Sequence, residues 1–245
     1  MDNAVRAGKD SKILELLIKT LSSIKSKKAA FSYLCSAIDV MSELENVYRS
    51  QFSVDNISFN GDGRCQAILD YIYKLTDKIL EGETCPLIVS TIEQLYLGDS
   101  FIVKPHKVNE SGTSSKEVGD IDIFDANDNL IESIEIKDKD FTKEDVGHAI
   151  SKFIEAKLDR SMFIFGKNVV WNKEEVFQLI GRIGRTGHYC CIMSVIEYAK
   201  LRIMSFDKSI NLKMFSTLML HFAKIINAKE DTINWIKICL QEKDD

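Results

Sequence analysis

The fold is decided by the stretch Gly119–Asp140, which reads GDIDIFDANDNLIESIEIKDKD. Both halves of this stretch alternate between apolar and charged residues, and the segment ANDN between them is rich in turn-forming side chains. Alternation with a period of two, interrupted by Asn and Asp, predicts a β-hairpin. One face of the hairpin carries isoleucines, and the other face carries carboxylates. The isoleucines are Ile121, Ile123, Ile134 and Ile136.

Two registers of the hairpin are open, and both bring acidic side chains together. A turn centred on the central Asn-Asp pair of ANDN places Asp120 opposite Glu135, with Asp122 diagonal to Glu135 on the same face. A turn one residue later places Asp122 opposite Glu135 instead. The first register favours Asp120 as the partner of Glu135, but the sequence leaves the choice between the two aspartates open.

Opposed carboxylates repel each other, so this face of the hairpin needs a compensating positive charge. A divalent cation supplies one, and hard oxygen ligands select Mg²⁺ or Mn²⁺. Lys137 follows on the same face, where it can orient an attacking water and offset charge that develops on a phosphate. The alternative is a solvated face on which lysines and acids pair across the strands.

An Asp on one strand followed by Glu-x-Lys on the next resembles the PD-(D/E)XK nuclease superfamily. The resemblance implies that Asp120 or Asp122, Glu135 and the carbonyl group of Ile136 bind Mg²⁺, for which Mn²⁺ can substitute, and that Lys137 is the catalytic cation. It therefore implies a catalytic set of Asp120, Glu135 and Lys137.

The longer string GDIDIFD…IEIKDKDFTKEDVGHAISK resembles type II restriction endonucleases, in particular the SacI-type group. It departs from the superfamily pattern at Gly119, which stands where the pattern has Pro. The resemblance implies hydrolysis of phosphodiester bonds in double-stranded DNA at a specific short sequence. It also implies a homodimer, because cutting both strands of a palindromic site requires two active sites. A cognate DNA methyltransferase is expected in the same system.

The rest of the chain predicts helices before the hairpin and alternating helices and strands after it. Apolar residues recur at helical spacing in SKILELLIKTLSSI and in AAFSYLCSAIDVMSELENVYRSQF. Residues 1–100 are expected to form a helical N-terminal region, and residues 101–245 a nuclease core with C-terminal helices. The predicted fold class is α/β (α+β), a restriction-endonuclease-like mixed central sheet flanked by helices. Thr142 is expected to cap the helix that follows the hairpin.

Polar residues in the loop before the hairpin, around the helix after it and in the segment GRIGR are candidate DNA contacts. They are Lys107, Asn109, Ser114, Ser115, Lys116, Lys139, His148, Lys152, Arg182 and Arg185. A merely flexible loop and an ordinary helix surface are the alternatives at these positions. Glu45 and Glu93, on predicted helices before the hairpin, are candidates for a further active-site acid, although an ordinary solvated glutamate is the simpler interpretation of each.

The composition limits the classes of function. A net charge of -5 gives no global attraction to nucleic acid, so DNA binding requires a local basic cleft. The cysteines form no C-x-x-C pair and the histidines are scattered, which argues against a zinc site and predicts reduced thiols in a cytoplasmic protein. No apolar run predicts a membrane span. A repair or low-specificity nuclease of the same fold, or a non-catalytic helical binding protein, is the alternative function.

Overall fold

The computed structural model describes residues 9–54, 65–106, 117–206 and 210–241 of the chain. The chain divides into two compact units, Met1–Gln51 and Phe52–Asp245. The helices are α1 (Lys9–Ser23), α2 (Lys27–Gln51), α3 (Cys65–Leu75), α4 (Thr84–Leu97), α5 (Lys143–Glu155), α6 (Lys173–Gly184), α7 (Val195–Met204), α8 (Leu212–Ile225) and α9 (Glu230–Gln241). The strands are β1 (Phe101–Pro105), β2 (Ile121–Asp125), β3 (Leu130–Lys137), β4 (Arg160–Phe165) and β5 (Tyr189–Ser194). Short 3-10 turns, Leu80–Gly82 and Gly98–Ser100, precede and follow α4.

The five described strands form one mixed sheet in the order β1-β2-β3-β4-β5. The strands β1, β2 and β3 pair antiparallel, whereas β3, β4 and β5 pair parallel. Parallel neighbours need crossover connections, and α5 and α6 provide them. The predicted mixed central sheet flanked by helices is therefore confirmed.

The hairpin of β2 and β3 adopts the first of the two predicted registers. Ile121 pairs with Ile134 and Asp122 pairs with Ser133. The pairing shifts by one residue between Ile123 and Phe124, next to the turn. The shift leaves the predicted pairing intact at the end of the hairpin that carries Asp120.

The two faces of the sheet pack against different helices. The face that carries the four isoleucines packs in one core with α3, α4, α7, α8 and α9. On the other face, α5 and α6 form a second core with Phe163 and Cys190, which come from β4 and β5. The side chains of Asp120, Asp122, Glu135 and Lys137 belong to this second face by strand alternation. These carboxylates therefore lie beside the helical layer of α5 and α6.

The helix after the hairpin begins as the sequence predicts. The Thr142 hydroxyl accepts a hydrogen bond from the backbone N–H of Asp145, and the Asp145 carboxylate accepts one from the backbone N–H of Thr142. This reciprocal pair satisfies two donors at the start of α5 and fixes where the helix leaves β3. The same device, between Ser194 and Glu197, joins β5 to α7.

Helices α3 and α4 belong to the same compact unit as the sheet. The predicted division at residue 101 coincides with the start of β1. That this position is a domain boundary stays a prediction. None of the helices within the described residues combines the length and the apolar character that crossing a bilayer requires.

Replacing Gly166 with Ala should destabilise the sheet. A methyl group there would lie 1.8 Å from Asp138 Oδ1 and 3.3 Å from the Asp138 Cα atom, so the segment after β3 would have to shift. We expect the free energy of unfolding to fall by about 1–3 kcal/mol, measured by urea denaturation.

Gly181 provides the matched control, because it is exposed on α6 and a methyl group there would meet nothing within 4 Å. Gly181→Ala should be neutral or stabilising by up to about 1 kcal/mol, since Ala is the better helix former. Equal effects of the two substitutions would contradict the packing described for Gly166.

Candidate active site

Asp120 and Glu135 meet where the hairpin opens. The backbone N–H of Asp120 donates to Ile134 O over 2.9 Å, which continues the β2–β3 ladder by one residue. The Ile136 N–H donates to Asp120 Oδ2 over 2.7 Å. Glu135 is buried and Asp120 is half-buried. The register thus places both carboxylates on the face of the hairpin that packs beside α5.

Two lysines contact the Glu135 carboxylate. Lys137 Nζ lies 2.8 Å from Glu135 Oε1, and Lys152 Nζ, from α5, lies 3.2 Å from Glu135 Oε2. Both ammonium groups keep part of their surface in solvent, with the Lys137 side chain 24% exposed and the Lys152 side chain 37% exposed. The site therefore combines two acids with two ammonium groups that solvent can reach.

The electrostatics of the site leave Asp120 with an unfavourable negative charge. Burial, followed by repulsion from the Glu135 carboxylate, raises the pKa of Asp120 to about 6. The Ile136 N–H and the charges of Lys137 and Lys152 act in the opposite direction and do not outweigh these effects. A cation bound between the two carboxylates would remove the repulsion.

Lys137 stays charged at neutral pH. Burial acts to lower the pKa of Lys137, but its hydrogen bond to Glu135 and the charges of Glu135 and Asp120 outweigh burial and raise the pKa. Lys137 is therefore a donor of hydrogen bonds and a positive charge, and it is not suited to remove a proton from water.

Asp122 is engaged differently from Asp120. Its Oδ2 accepts hydrogen bonds from His106 Nε2 at 2.9 Å and from the Val118 N–H at 3.1 Å. Its Oδ1 accepts from the Ser133 hydroxyl at 2.6 Å and from the Gly119 N–H at 3.2 Å. These four donors occupy the lone-pair directions of a carboxylate. Asp122 therefore ties the entry of β2 to β3.

Gly119 precedes Asp120, and the structure gives a physical reason for a glycine at this position. A Cβ atom at Gly119 would lie 2.5 Å from the Ser133 hydroxyl and 2.7 Å from Ile134 O, so no side chain fits. Proline would also remove the N–H that donates to Asp122. The glycine is thus part of how this chain anchors Asp122.

The candidate DNA contacts have different surroundings. Lys107, Asn109, Ser114, Ser115 and Lys116 lie outside the described residues. Lys139 and His148 are exposed close to the site in sequence, at the end of β3 and on α5. Arg182 and Arg185 are exposed at the end of α6. Among the candidates that the structure describes, Lys152 contacts the Glu135 carboxylate through its Nζ atom.

Glu93 does not join the pair of carboxylates in the structure. Glu93 is fully buried on α4, in the layer that packs on the isoleucine face, where Arg202 Nε lies 2.8 Å from its Oε1 and the Tyr198 hydroxyl donates to the same oxygen. Glu45 is exposed on α2. The buried Glu93–Arg202 pair is part of the packing between α4 and α7.

The donor set is compatible with Mg²⁺ in type and number. Among the described residues, no cluster of three or more His, Cys, Asp or Glu side chains is suited to hold a metal ion. Mg²⁺ keeps several of its waters and is often held by one or two carboxylates, which is what Asp120 and Glu135 offer. Burial, and after it repulsion from the Glu135 carboxylate, raises the pKa of Asp120, and a bound cation would relieve that repulsion.

Two features of the site were not predicted as such. Lys152 comes four residues after His148 on the predicted helix, so the sequence predicts that the two side chains share a helix face. The sequence does not predict that Lys152 contacts Glu135. His106 gave no signal of its role, because only the folding of β1 beside β2 brings its ring to Asp122.

A mixed sheet with two acids and a lysine at a hairpin, flanked by helices, is typical of a restriction-type nuclease. The comparison with known families agrees with this. The model of the family described as SacI restriction endonuclease C-terminal domain matches residues 62–167, which is less than half of the chain. The matched segment contains Asp120, Glu135, Lys137 and Lys152, and it supports a type II restriction endonuclease. No curated protein matches the chain.

Replacing Asp122 with Asn should destabilise the protein in a pH-dependent way. Burial opposes ionisation of Asp122, but its hydrogen bonds from His106, Ser133 and Val118 outweigh burial and lower the pKa. A carboxylate with a lowered folded-state pKa adds stability above its unfolded-state pKa, and this stability disappears as the pH falls through the folded-state pKa. We expect Asp122→Asn to cost about 1–3 kcal/mol near pH 7 and progressively less in acid.

Urea unfolding of the two proteins between pH 3 and pH 8 measures this difference. Asp99→Asn, at an exposed position, is the control and should change the free energy of unfolding little at any pH. A cost of Asp122→Asn that stays constant down to pH 3 would show that the carboxylate is not stabilised in its charged form.

Proposed function

We propose that this chain is a Mg²⁺-dependent type II restriction endonuclease that uses the PD-(D/E)XK arrangement to cut double-stranded DNA at a specific short sequence. The observation that carries the proposal is the register of the β2–β3 hairpin. It sets Asp120 against Glu135 and places Lys137 Nζ 2.8 Å from Glu135 Oε1, beside solvent. A solvated hairpin face would leave opposed carboxylates in water, whereas here Glu135 is buried and Asp120 is half-buried.

The metal ligands in this proposal are the side chains of Asp120 and Glu135 and the backbone carbonyl group of Ile136. When bound, Mg²⁺, or Mn²⁺ in its place, supplies a positive charge that activates water and offsets charge on the phosphate. We favour Asp120 over Asp122 as the ligand, because four protein donors already occupy the Asp122 carboxylate.

The two lysines have separate roles in the proposal. Lys137 remains an ammonium group, so it orients the attacking water and donates hydrogen bonds to the non-bridging phosphate oxygen. Lys152 holds Glu135 from α5 and is placed to contact the phosphate if Glu135 turns toward a metal ion. Without a metal, both ammonium groups pair with the Glu135 carboxylate.

Double-stranded DNA is the proposed substrate. The chain is acidic overall, so its attraction to phosphates has to come from groups close to the site. Among the described residues, the candidates for these phosphate contacts are Lys139, His148 and Lys152. Lys107 and Lys116 are further candidates, because they precede the hairpin in the sequence. Arg182 and Arg185 are proposed as more distant phosphate contacts.

The restriction role adds two partners to the proposal. A palindromic site requires a homodimer, in which two copies of the site act on the two strands. A methyltransferase that modifies the same sequence would protect the host DNA. The runner-up function is a repair or low-specificity nuclease with the same catalytic residues.

Digestion of unmethylated phage DNA tests the function directly. With Mg²⁺ we expect discrete fragments, without a divalent cation we expect none, and Lys137→Ala should cut at least about 100-fold more slowly. Removing Lys137 leaves the apolar cores untouched, so the circular dichroism spectrum should not change.

Lys143→Ala is the matched control, because Lys143 is a lysine of the neighbouring helix that pairs with Glu175 at the surface. It should cut at the rate of the parent protein. A smear of fragments would favour the low-specificity nuclease. Intact DNA under all conditions, with a folded protein, would contradict the proposed function and favour a binding protein.

A further inference from the structure

The loop between β4 and α6, residues 166–172, lies at the same end of the sheet as the candidate active site. Lys137 at the end of β3 pairs with Phe165 at the end of β4, and the two strands run parallel. Open α/β sheets bind their ligands beyond the carboxyl ends of the strands. The loop is therefore placed where a substrate of this site would pass, and the function proposed above gives it no part.

Three hydrogen bonds tie the loop to the segment that begins at Lys137. At the start of the loop, the Gly166 N–H donates to Lys137 O over 2.9 Å. Near its end, the Val170 N–H donates to Asp140 Oδ1 over 2.8 Å, and the Phe141 N–H donates to Val170 O over 3.4 Å. The loop is thus held at both ends by the segment that carries Lys137.

Aromatic packing supports the loop as well. The Trp171 ring stacks on the Phe141 ring, with the two centroids 5.4 Å apart and an angle of 21° between the planes. The Phe165 and Phe177 rings meet Trp171 edge-on, at 5.3 Å and 5.8 Å. Such ring pairs stabilise beyond the area that they bury. A loop supported in this way can present its exposed side chains at fixed positions beside the site.

The side chains between these anchors are exposed. Lys167 and Asn168 are exposed, and Val170 is 70% exposed. Among the described residues, none forms a hydrogen bond with the Asn168 side chain, so its amide donor and acceptor are both available. Lys167 Nζ lies 2.6 Å from Asp77 Oδ1, in an exposed ion pair. Exposed ion pairs are worth little, so a phosphate can take the place of Asp77.

The loop is close enough to Lys137 to contact bases near the cleaved bond. Paired strands lie about 4.8 Å apart, and the three residues from Phe165 to Asn168 add at most about 10 Å. The Cα atoms of Asn168 and Lys137 are therefore within about 15 Å of each other. This distance corresponds to about four base pairs of DNA, at about 3.4 Å each.

We propose that the β4–α6 loop reads the DNA sequence, with Asn168 contacting a base edge in the major groove and Lys167 contacting a phosphate. A carboxamide matches the N6 donor and the N7 acceptor of adenine, and an apolar side chain such as Val170 is suited to contact the methyl group of thymine. The loop should therefore read an A·T pair within about four base pairs of the cut. This inference rests on the proposed nuclease function and names the part of the chain that gives the site its specificity.

Cleavage of DNA duplexes tests the role of Asn168. The duplexes carry the site recovered from the phage digest, with each base pair substituted in turn. Asn168→Ala should lose discrimination by at least about tenfold at one A·T pair and keep it elsewhere, because one base contact is removed. Gln178→Ala, which removes an exposed amide of α6, is the control and should discriminate like the parent protein. Both side chains are exposed, so the melting temperature should not change.

Binding of the same duplexes tests the role of Lys167. In the slowly cutting Lys137→Ala background, Lys167→Ala should weaken binding to all duplexes by a similar factor. It should also reduce the slope of log Kd against log salt concentration by about one, because one phosphate contact is lost. Lys213→Ala, which removes an exposed lysine of α8, is the control and should leave both quantities unchanged.

Each part of the inference has a result that would overturn it. If the parent protein cuts at its site and Asn168→Ala keeps full discrimination at every position, or loses it only at a G·C pair, Asn168 does not read adenine. An unchanged salt dependence in Lys167→Ala would overturn the phosphate contact. A parent protein that cuts no DNA would overturn the proposed function as well, so the two failures are distinguishable.

Discussion

The pairing of Asp120 with Glu135, on which the candidate site depends, is fixed by the register of the β2–β3 hairpin. The hairpin register that creates it also turns four isoleucines toward the opposite core. A shift of the β2–β3 pairing by one residue would bury charged side chains among apolar ones. The apolar core therefore stabilises the observed register. The energy of apolar burial on one face thus holds together two carboxylates that repel each other on the other face. A site that is unfavourable by itself is suited to bind a cation.

The two aspartates have different surroundings, which fit a structural role for Asp122 and a proposed metal-binding role for Asp120. Asp122 is bound to His106, Ser133 and backbone N–H groups, and it joins the start of β2 to β3. Asp120 accepts one backbone hydrogen bond at Oδ2 and faces Glu135. Two aspartates only two residues apart therefore have pKa values displaced in opposite directions, that of Asp122 downward and that of Asp120 upward.

The alternating pattern allowed the hairpin and its two faces to be predicted and limited its register to two possibilities, because strand periodicity and turn residues are local properties. The choice between Asp120 and Asp122 could not be predicted, since it depends on the His106 ring and on the space at Gly119, which only the neighbouring strands define. The contact of Lys152 with Glu135 depends on the angle at which α5 leaves the sheet. A periodic pattern fixes the face of a helix but not this angle.

The central claim is that Asp120 and Glu135 together form a divalent-cation site. A titration with Mn²⁺ tests this site without DNA and without an activity assay. The electron paramagnetic resonance signal of the free ion shows how much Mn²⁺ the protein has bound. We expect one Mn²⁺ to bind per chain at neutral pH and a folded Asp120→Asn variant to bind it at least about tenfold more weakly. Equal binding of Mn²⁺ by the two proteins, or no binding by the parent protein, would contradict it.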